Sequence, residues 1–463
     1  MPRRRSSPHP ARRRTSPGRA LAGAALGALA SSACDGPVPT LAPDGAPNVL
    51  LVSIDTLRAD HLGLYGYAPP TSPELDRFAE TAVVFDAAQA SASWTLPGLA
   101  SIFSSTYTST NGTWNFATRL DDSFTTMTEA LLANGYDTAC VVSHIYCTPS
   151  YGLTQGFVHI DDGLATPEVD PDLVTTSHQI SDRGIEFMER KEAAPDGKPW
   201  FLWLHYFDPH GTYMPQEGYT ELFTEGDGAP NELALYDGEI AYTDHHVGRV
   251  FDALDELGLA GNTVVIVVAD HGEEFFDHGG HDHGHALYAE LIRVPLLIRA
   301  PGIAPRRVGE VVRTVDLFPT VMDLAGLAWE TPEGRSVRAA MNGAALAPEP
   351  ALSEVRLNPM HEFESVIDGR YKLIRRHDPQ RVQLYDLEED PGEKVNLKGE
   401  RLELLEEMTR KLDALMEEAA EKAAAFQQGV RGDLTADDVD ALSKLGYVET
   451  EDEATPLPSE EGE

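Results

Sequence analysis

The chain has 463 residues, 36 Lys and Arg against 75 Asp and Glu, and a formal net charge of −39. Residues 1–34 hold seven arginines and no acid, so the remainder is more acidic still, with 29 bases against the same 75 acids. A surface of that sign repels nucleic acid and excludes it as a partner, while 42% hydrophobic residues exclude a disordered chain and suffice for one large α/β domain or two unequal ones.

The chain opens on a basic segment, "MPRRRSSPHPARRRTSPGR", followed by "ALAGAALGALASSA", a 14-residue run of small and apolar residues. That run is too short for a bilayer span, which needs ~20 apolar residues, and residues 1–34 read as an export signal. Cys34 follows "ASSA" and precedes Asp35, the arrangement of a bacterial lipoprotein cleavage site with a lipidated first cysteine. Ordinary cleavage nearby is the alternative, and "RRRTS" is a weak twin-arginine cue. The expectation is export to the periplasm or cell envelope with a lipid anchor at Cys34. Residues 35–47, rich in Pro and Gly, form a flexible tether.

"NVLLVSID" (48–55) is a near-continuous β-branched and aliphatic run, the pattern of a parallel strand buried on both faces. A helical pattern follows at 72–82. The stretch "SASWTLPGLAS" (91–101) opens another helix, with Pro97 in its first turn. Thr95 is then either an N-cap that accepts a backbone N–H bond or a residue that attacks a substrate. Helical periodicity returns at 124–135, and "DTACVVS" (137–143) reads as a strand. Cys140 and Cys147 are either a disulfide, which export permits, or two buried thiols. A helix at 176–190, a strand at 199–207 and a long helix at 231–258 come next, the last carrying the solvated pair His245 and His246.

"TVVIVVAD" (263–270) repeats the buried-strand pattern and runs into His271. Two such strands ending in Asp55 and Asp270 bring carboxylates to the ends where ligands bind in open α/β sheets. With His271 they form a set suited to a divalent metal ion. The glycine-rich loop 277–285 carries His278, His281, His283 and His285, a composition that also suits metal binding, with Asp277 and His281 as one candidate pair. After a strand at 293–300 the texture changes near 345. "ESVIDGRYKLIRR" (364–376) and "RVQLYDLEEDPGE" (381–393) suggest a small antiparallel unit. From 400 onward the chain is helical and acidic, 19 acids against 6 bases, with an apolar stripe of Leu402, Leu405, Leu412 and Leu415 and a disordered end. The expected boundaries are 48–345 for a catalytic domain, 346–400 for a C-terminal subdomain and 401–463 for a helical extension and tail.

Three stretches carry a family likeness: "NVLLVSIDTLRADHLGLYGY", "ADHGEEFFDHGGHDHGHALYAELIRVPLLIRAPG" and "LYDLEEDPGEKVNL". Together they resemble the sulfatase family of the alkaline phosphatase superfamily over roughly residues 48–400. The resemblance implies an α/β fold, a large mostly parallel sheet between helix layers, with a small C-terminal antiparallel sheet. It also implies a divalent metal held by Asp55, Thr95, Asp270 and His271. Sulfatases carry cysteine or serine at the place of Thr95, in a C/S-x-P-S-R motif oxidised to formylglycine. Here Gly98 replaces the serine and Leu99 the arginine, and oxidation of threonine would give a ketone, so formylglycine is excluded.

Superfamily members with threonine at this place are phosphodiesterases and phosphoethanolamine transferases, which points to phosphoryl chemistry. The family's paired aspartates read Asp55-Thr56 here, and its later Asp-Asn reads Asp270-His271. One carboxylate fewer and one imidazole more favour zinc or manganese over calcium. By the same likeness His210 stands beside the substrate's anionic oxygens and His283 contacts the leaving-group oxygen, whereas His205 is structural. Arg58 lies close to Asp55 in sequence, with no role assigned. The reading is a metal-dependent hydrolase or transferase of phosphate esters, phosphodiester or phosphomonoester, acting on a small-molecule, lipid or glycan ester. The alternatives are a sulfuric ester hydrolase working without formylglycine and a non-catalytic anion-binding lipoprotein.

Overall fold

The two near-continuous apolar runs lie side by side at the centre of an eight-stranded sheet. In the computed structural model the described residues are 42–43, 45–165, 175–224, 226, 228–357, 361–426 and 430. The leader, Cys34, most of the tether and the end of the tail lie outside them. In chain order the first strands are β1 (Asn48–Ile54), β2 (Val83–Gln89), β3 (Asp137–Val142), β4 (His159–Asp161), β5 (Trp200–Tyr206) and β6 (Thr263–Ala269). Then come β7 (Glu274–Phe275), β8 (His281–Asp282), β9 (Leu296–Arg299) and β10 (Arg306–Arg313).

The large sheet runs β10-β2-β9-β6-β1-β5-β3-β4. Every neighbouring pair is parallel except the two made by β9, which is antiparallel to both β2 and β6. β1 and β6 are buried along their whole length, as strands covered on both faces must be. β9 is reversed because the chain leaves β6, makes a long excursion and comes straight back beside it, without the crossover that a parallel neighbour requires.

Two helix groups cover the sheet. Helices Pro73–Ala79, Ser177–Ala193 and Glu232–Glu256 pack on one another, and so do Thr95–Ser104, Met127–Ala133 and Leu317–Leu324. The start of Met127–Ala133 is fixed by a capping box. The Thr126 hydroxyl accepts from Glu129 N, and the Glu129 carboxylate accepts from Thr126 N. Cys140 and Cys147 are two buried free thiols, so of the two readings the structure shows the second.

The C-terminal sheet is antiparallel, β11 (Ala351–Arg356), β12 (Glu362–Asp368), β13 (Tyr371–Arg376) and β14 (Arg381–Asp386) in sequential order. Helix Leu402–Ala423 packs on it through Met408 and Leu412, which join Leu352, Val366, Leu373 and Leu384 in a second core. The expected stripe is corrected at one end. Leu402 is 63% exposed, because the buried face of the helix begins a turn later. Among the described residues no helix is long and apolar enough to cross a membrane.

One ion pair ties this sheet to the excursion between β6 and β9. Lys372 Nζ lies 2.6 Å from Glu393 Oε1, both side chains fully buried, and Glu393 Oε2 accepts from Ala289 N at 2.7 Å. Removing one member of a buried pair strands the other charge, at a cost of about 3–5 kcal/mol. Lys372→Met should therefore lower unfolding free energy by about that amount in urea titrations, and adding Glu393→Gln should restore part of it.

Candidate active site and metal centre

The pairing of β1 with β6 places Ile54 opposite Ala269, so Asp55 and Asp270 leave neighbouring strands at the same level. Past Asp55 the chain turns sharply. Thr56 adopts φ 50°, an unusual value for a β-branched residue, and its hydroxyl donates to Pro209 O at 2.8 Å. Thr56 therefore ties down the loop carrying His210 and stays out of the carboxylate cluster. Past Asp270 the backbone is pinned by Gly272 N to Leu291 O at 2.8 Å and Glu273 N to Glu290 O at 3.1 Å. A Cβ on Gly272 would lie 2.0 Å from Glu290 O, so this approach requires glycine.

Thr95 is the first residue of its helix, and Trp94, in extended backbone, occupies the N-cap position. The capping reading of Thr95 is thus set aside by position. Its Oγ1 lies 3.3 Å from His271 Nε2 and 3.5 Å from Asp55 Oδ1. Gly98 lets the helix come this close, since a Cβ there would be 2.8 Å from Asp270 O. Pro97 has no N–H, which leaves the amides of Thr95 and Leu96 at the helix entrance, where an anion is favoured. Leu99, in the place of the motif arginine, is buried in the core.

Asp55, Asp270 and His271 are fully buried, and one ligand atom from each lies within 4.8 Å of the others. His271 Nε2 is 3.3 Å from Asp55 Oδ1 and 3.5 Å from Asp270 Oδ2. Both Asp270 oxygens and Asp55 Oδ2 are buried without a hydrogen bond. His271 Nδ1 lies 2.9 Å from Gly272 O, an acceptor that keeps a proton there, so Nε2 is the nitrogen turned to the carboxylates. Two carboxylates with buried oxygens that lack a hydrogen bond, a hydroxyl and an imidazole nitrogen converging in a fully buried pocket fit a divalent cation. Burial and the neighbouring Asp55 carboxylate push the Asp270 carboxyl up to about 7. At Asp55 burial acts in the same direction, but His205 and His271 outweigh it and hold the group well below the usual carboxylate value.

A ring of histidines surrounds the cluster. His205, expected to be structural, sits at its edge with Nε2 3.3 Å from Asp55 Oδ2. Trp203 Nε1 donates to Ser53 Oγ, whose own proton then goes to His205 Nδ1, both at 2.8 Å, so Nε2–H is turned toward the carboxylate. His210 stacks on Phe207 at 4.6 Å and lies 4.9 Å from His283, which in turn lies 4.7 Å from His271. The candidates Thr95, His210, His283, Asp55, Asp270 and His271 are thus brought together.

His144 was not legible in the sequence. Its Nδ1 accepts from Tyr146 N at 3.0 Å, so its proton is on Nε2, which is buried and has no partner. Its ring is 5.7 Å from His210. The remaining loop histidines are each paired with a glutamate. His278 Nδ1 meets Glu290 at 2.5 Å, His281 meets Glu232 at 2.9 Å and His285 meets Glu274 at 2.9 Å. Asp277 is held by Arg58 at 2.8 Å, so Asp277 and His281 do not converge on a second metal. Arg58 faces Asp60, Asp277 and Glu273 O and is turned away from the cluster. His245 is exposed, as expected, whereas His246 is half-buried, packed 4.4 Å from Tyr242 with Nδ1 3.1 Å from Arg249.

A family model described as "Sulfatase" matches residues 47–327, and one described as "N-sulphoglucosamine sulphohydrolase, C-terminal" matches 276–422. An uncharacterized sulfatase of Escherichia coli (strain K12) is 25% identical over 419 residues, covering 76% of this chain and 83% of that protein. A Delta 4,5-hexuronate-2-O-sulfatase of Bacteroides thetaiotaomicron is 25% identical over 420 residues, covering 76% and 84%. Among solved structures, the phosphonate monoester hydrolase of Agrobacterium radiobacter superposes with a TM-score of 0.67 at 21% identity, over 81% of this chain and 96% of that one.

The Asp270 carboxyl gives a pH test. In the unfolded chain it ionises near 3.8, in the metal-free fold near 7, so between those values the fold keeps a proton that the unfolded chain has lost. Stability without metal therefore falls as pH rises through that window. Cation binding needs the ionised group, so the rise in Tm on adding Zn2+ or Mn2+ should be small at about pH 5 and full above about pH 7. Thermal unfolding with metal and with chelator checks this, and Asp270→Asn should abolish the metal-induced rise.

Proposed function

The chain belongs to the sulfatase family and is an ester hydrolase, and on that premise we propose that it transfers phosphoryl groups from phosphate esters with Thr95 as nucleophile. The observation that carries this reading is the Thr95 hydroxyl at 3.3 Å from His271 Nε2 and 3.5 Å from Asp55 Oδ1, in the place where relatives carry formylglycine. A threonine cannot form the aldehyde, and the rest of the motif is unsuited to it. A serine at 98 would bring a Cβ against Asp270 O, and the arginine's place is taken by a buried leucine. Without the hemiacetal route, a sulfo-threonine has no easy release. A phospho-threonine is cleared by in-line attack of water or an alcohol.

Asp55, Thr95, Asp270 and His271 would hold a divalent cation. One nitrogen and three oxygens favour zinc or manganese over calcium. Such an ion supplies a lowered hydroxyl pKa at Thr95 and neutralises charge on the transferring group. His210 faces the anionic oxygens, and His283 gives a proton to the leaving oxygen. Burial and the flanking Asp55 and Asp270 keep water from competing at the nucleophile.

The substrate is a small-molecule, lipid or glycan ester, phosphodiesters above all. The second reading, a sulfuric ester hydrolase without formylglycine, is favoured by the likeness to a hexuronate 2-O-sulfatase. The protein acts outside the cytoplasm, in the periplasm or at the cell envelope, held by a lipid at Cys34. The basic leader and its short apolar run support this. Cys34→Ser should move the protein from the membrane to the soluble fraction.

The nucleophile is tested by substitution and trapping. Turnover of a chromogenic phosphodiester should follow the order Thr95, Thr95→Ser, Thr95→Ala, the last at background with the fold intact. Mass spectrometry of the quenched reaction should find phosphate on Thr95. Sulfate there, with faster turnover of a matched aryl sulfate, would establish the second reading. Full turnover in Thr95→Ala would remove the mechanism.

A further inference from the structure

Glu273 is fully buried two residues beyond His271, and its carboxylate serves two groups. Oε2 accepts from Tyr213 OH at 2.8 Å, and Oε1 lies 3.1 Å from His283 Nδ1. The backbone beneath it is clamped from both sides, by Glu273 N to Glu290 O and by Arg58 NH1 to Glu273 O, each at 3.1 Å. His283 Nδ1 is also 3.2 Å from Asp282 Oδ1, but that side chain is exposed and can swing. Facing two carboxylates, Nδ1 must carry a proton, which leaves Nε2 as the atom that works on the substrate.

We infer that Glu273 and Tyr213 form a positioning unit that holds the His283 ring so that Nε2 meets the leaving-group oxygen. This rests on the leaving-group role of His283 given above. An imidazole is planar and donates from Nε2 along one line only. Its orientation has to be set by a partner, and a fixed buried carboxylate sets it. Tyr213 fixes the carboxylate in turn, by occupying the oxygen that His283 does not use.

The proton balance is as follows. His283 enters the step protonated on both ring nitrogens, with Nδ1 facing the two carboxylates; as the bond to the leaving oxygen breaks, its electron pair stays on that oxygen, which takes the proton from Nε2. Water or an alcohol attacking the Thr95 adduct returns a proton to Nε2, and the proton that Thr95 released to solvent comes back to its oxygen when the adduct is cleared.

Glu273→Gln keeps the shape and removes the charge, and Tyr213→Phe removes only the brace. Both are assayed in the full chain on aryl phosphodiesters with leaving groups of graded acidity, or on aryl sulfates if those are turned over instead. Metal content is measured alongside. For Glu273→Gln, kcat should fall on the order of 10²-fold with poor leaving groups and only a few-fold with the best, KM and metal content unchanged. Tyr213→Phe should show the same trend at roughly a tenth of the size. An equal loss across all leaving groups, or loss of metal, in both variants would overturn the inference and make Glu273 structural. His283→Ala separates the two levels. If it shows no leaving-group trend, the role of His283 fails. If it shows a steep trend that Glu273→Gln lacks, only the positioning unit fails.

Discussion

The structure turns on two carboxylates that cannot both be content. Asp55 and Asp270 leave neighbouring central strands and meet fully buried, with three of their four oxygens lacking a hydrogen bond. Burying one unpaired carboxylate is costly, and burying two side by side is worse. The fold answers by raising the Asp270 carboxyl to about 7, with His205 and His271 beside Asp55, and with a hydroxyl in reach. Those partial remedies describe the outline of the divalent ion that would replace them. The surrounding close approaches serve this one pocket. Gly98 brings the threonine helix onto Asp270, and Gly272 keeps His271 against its anchoring turn.

How much of this the sequence reveals depends on how far apart the partners are. β1, β5 and β6 are legible because strands buried on both faces must be apolar throughout. β10 is not legible: it is the edge strand "RRVGEVVR", in which Arg307 and Glu310 are exposed, Arg313 is buried against Asp316, and the register shifts between Val308 and Val311. β2 was missed as well, because Asp86 and two alanines break its apolar run. Asp55, Asp270 and His271 were legible since each ends a visible strand. Glu273, Tyr213 and His144 were not, because their meaning lies in contacts such as the one joining Tyr213 to Glu273 across 60 residues.

The histidine-rich loop is instructive for the opposite reason. Its composition suggests a metal tract, yet His278, His281, His283 and His285 each find a separate glutamate. The acidic surplus of the chain is spent locally on folding this loop, and only one of the four imidazoles lies against the metal cluster. Thr56, likewise, is next to Asp55 in the sequence but braces the His210 loop. The departures from the family pattern fall in one place: Thr56 follows Asp55, His271 follows Asp270, and Thr95 lies within 3.5 Å of both Asp55 and His271.

The reversed strand β9 has a consequence for how such enzymes diversify. Because β9 returns directly beside β6, the excursion from Asp270 to Pro295 starts and ends about one strand spacing apart, ~4.8 Å. A closed loop on so narrow a base is a cassette. Doubling its length would cost only about 0.6 kcal/mol in closure entropy, and no strand of the sheet would have to shift to admit it. Its first residues are fixed by the metal cluster and its last by the sheet, which leaves the rim between them free to vary. Length and sequence can then change in that rim while the hydrophobic sheet underneath keeps its register.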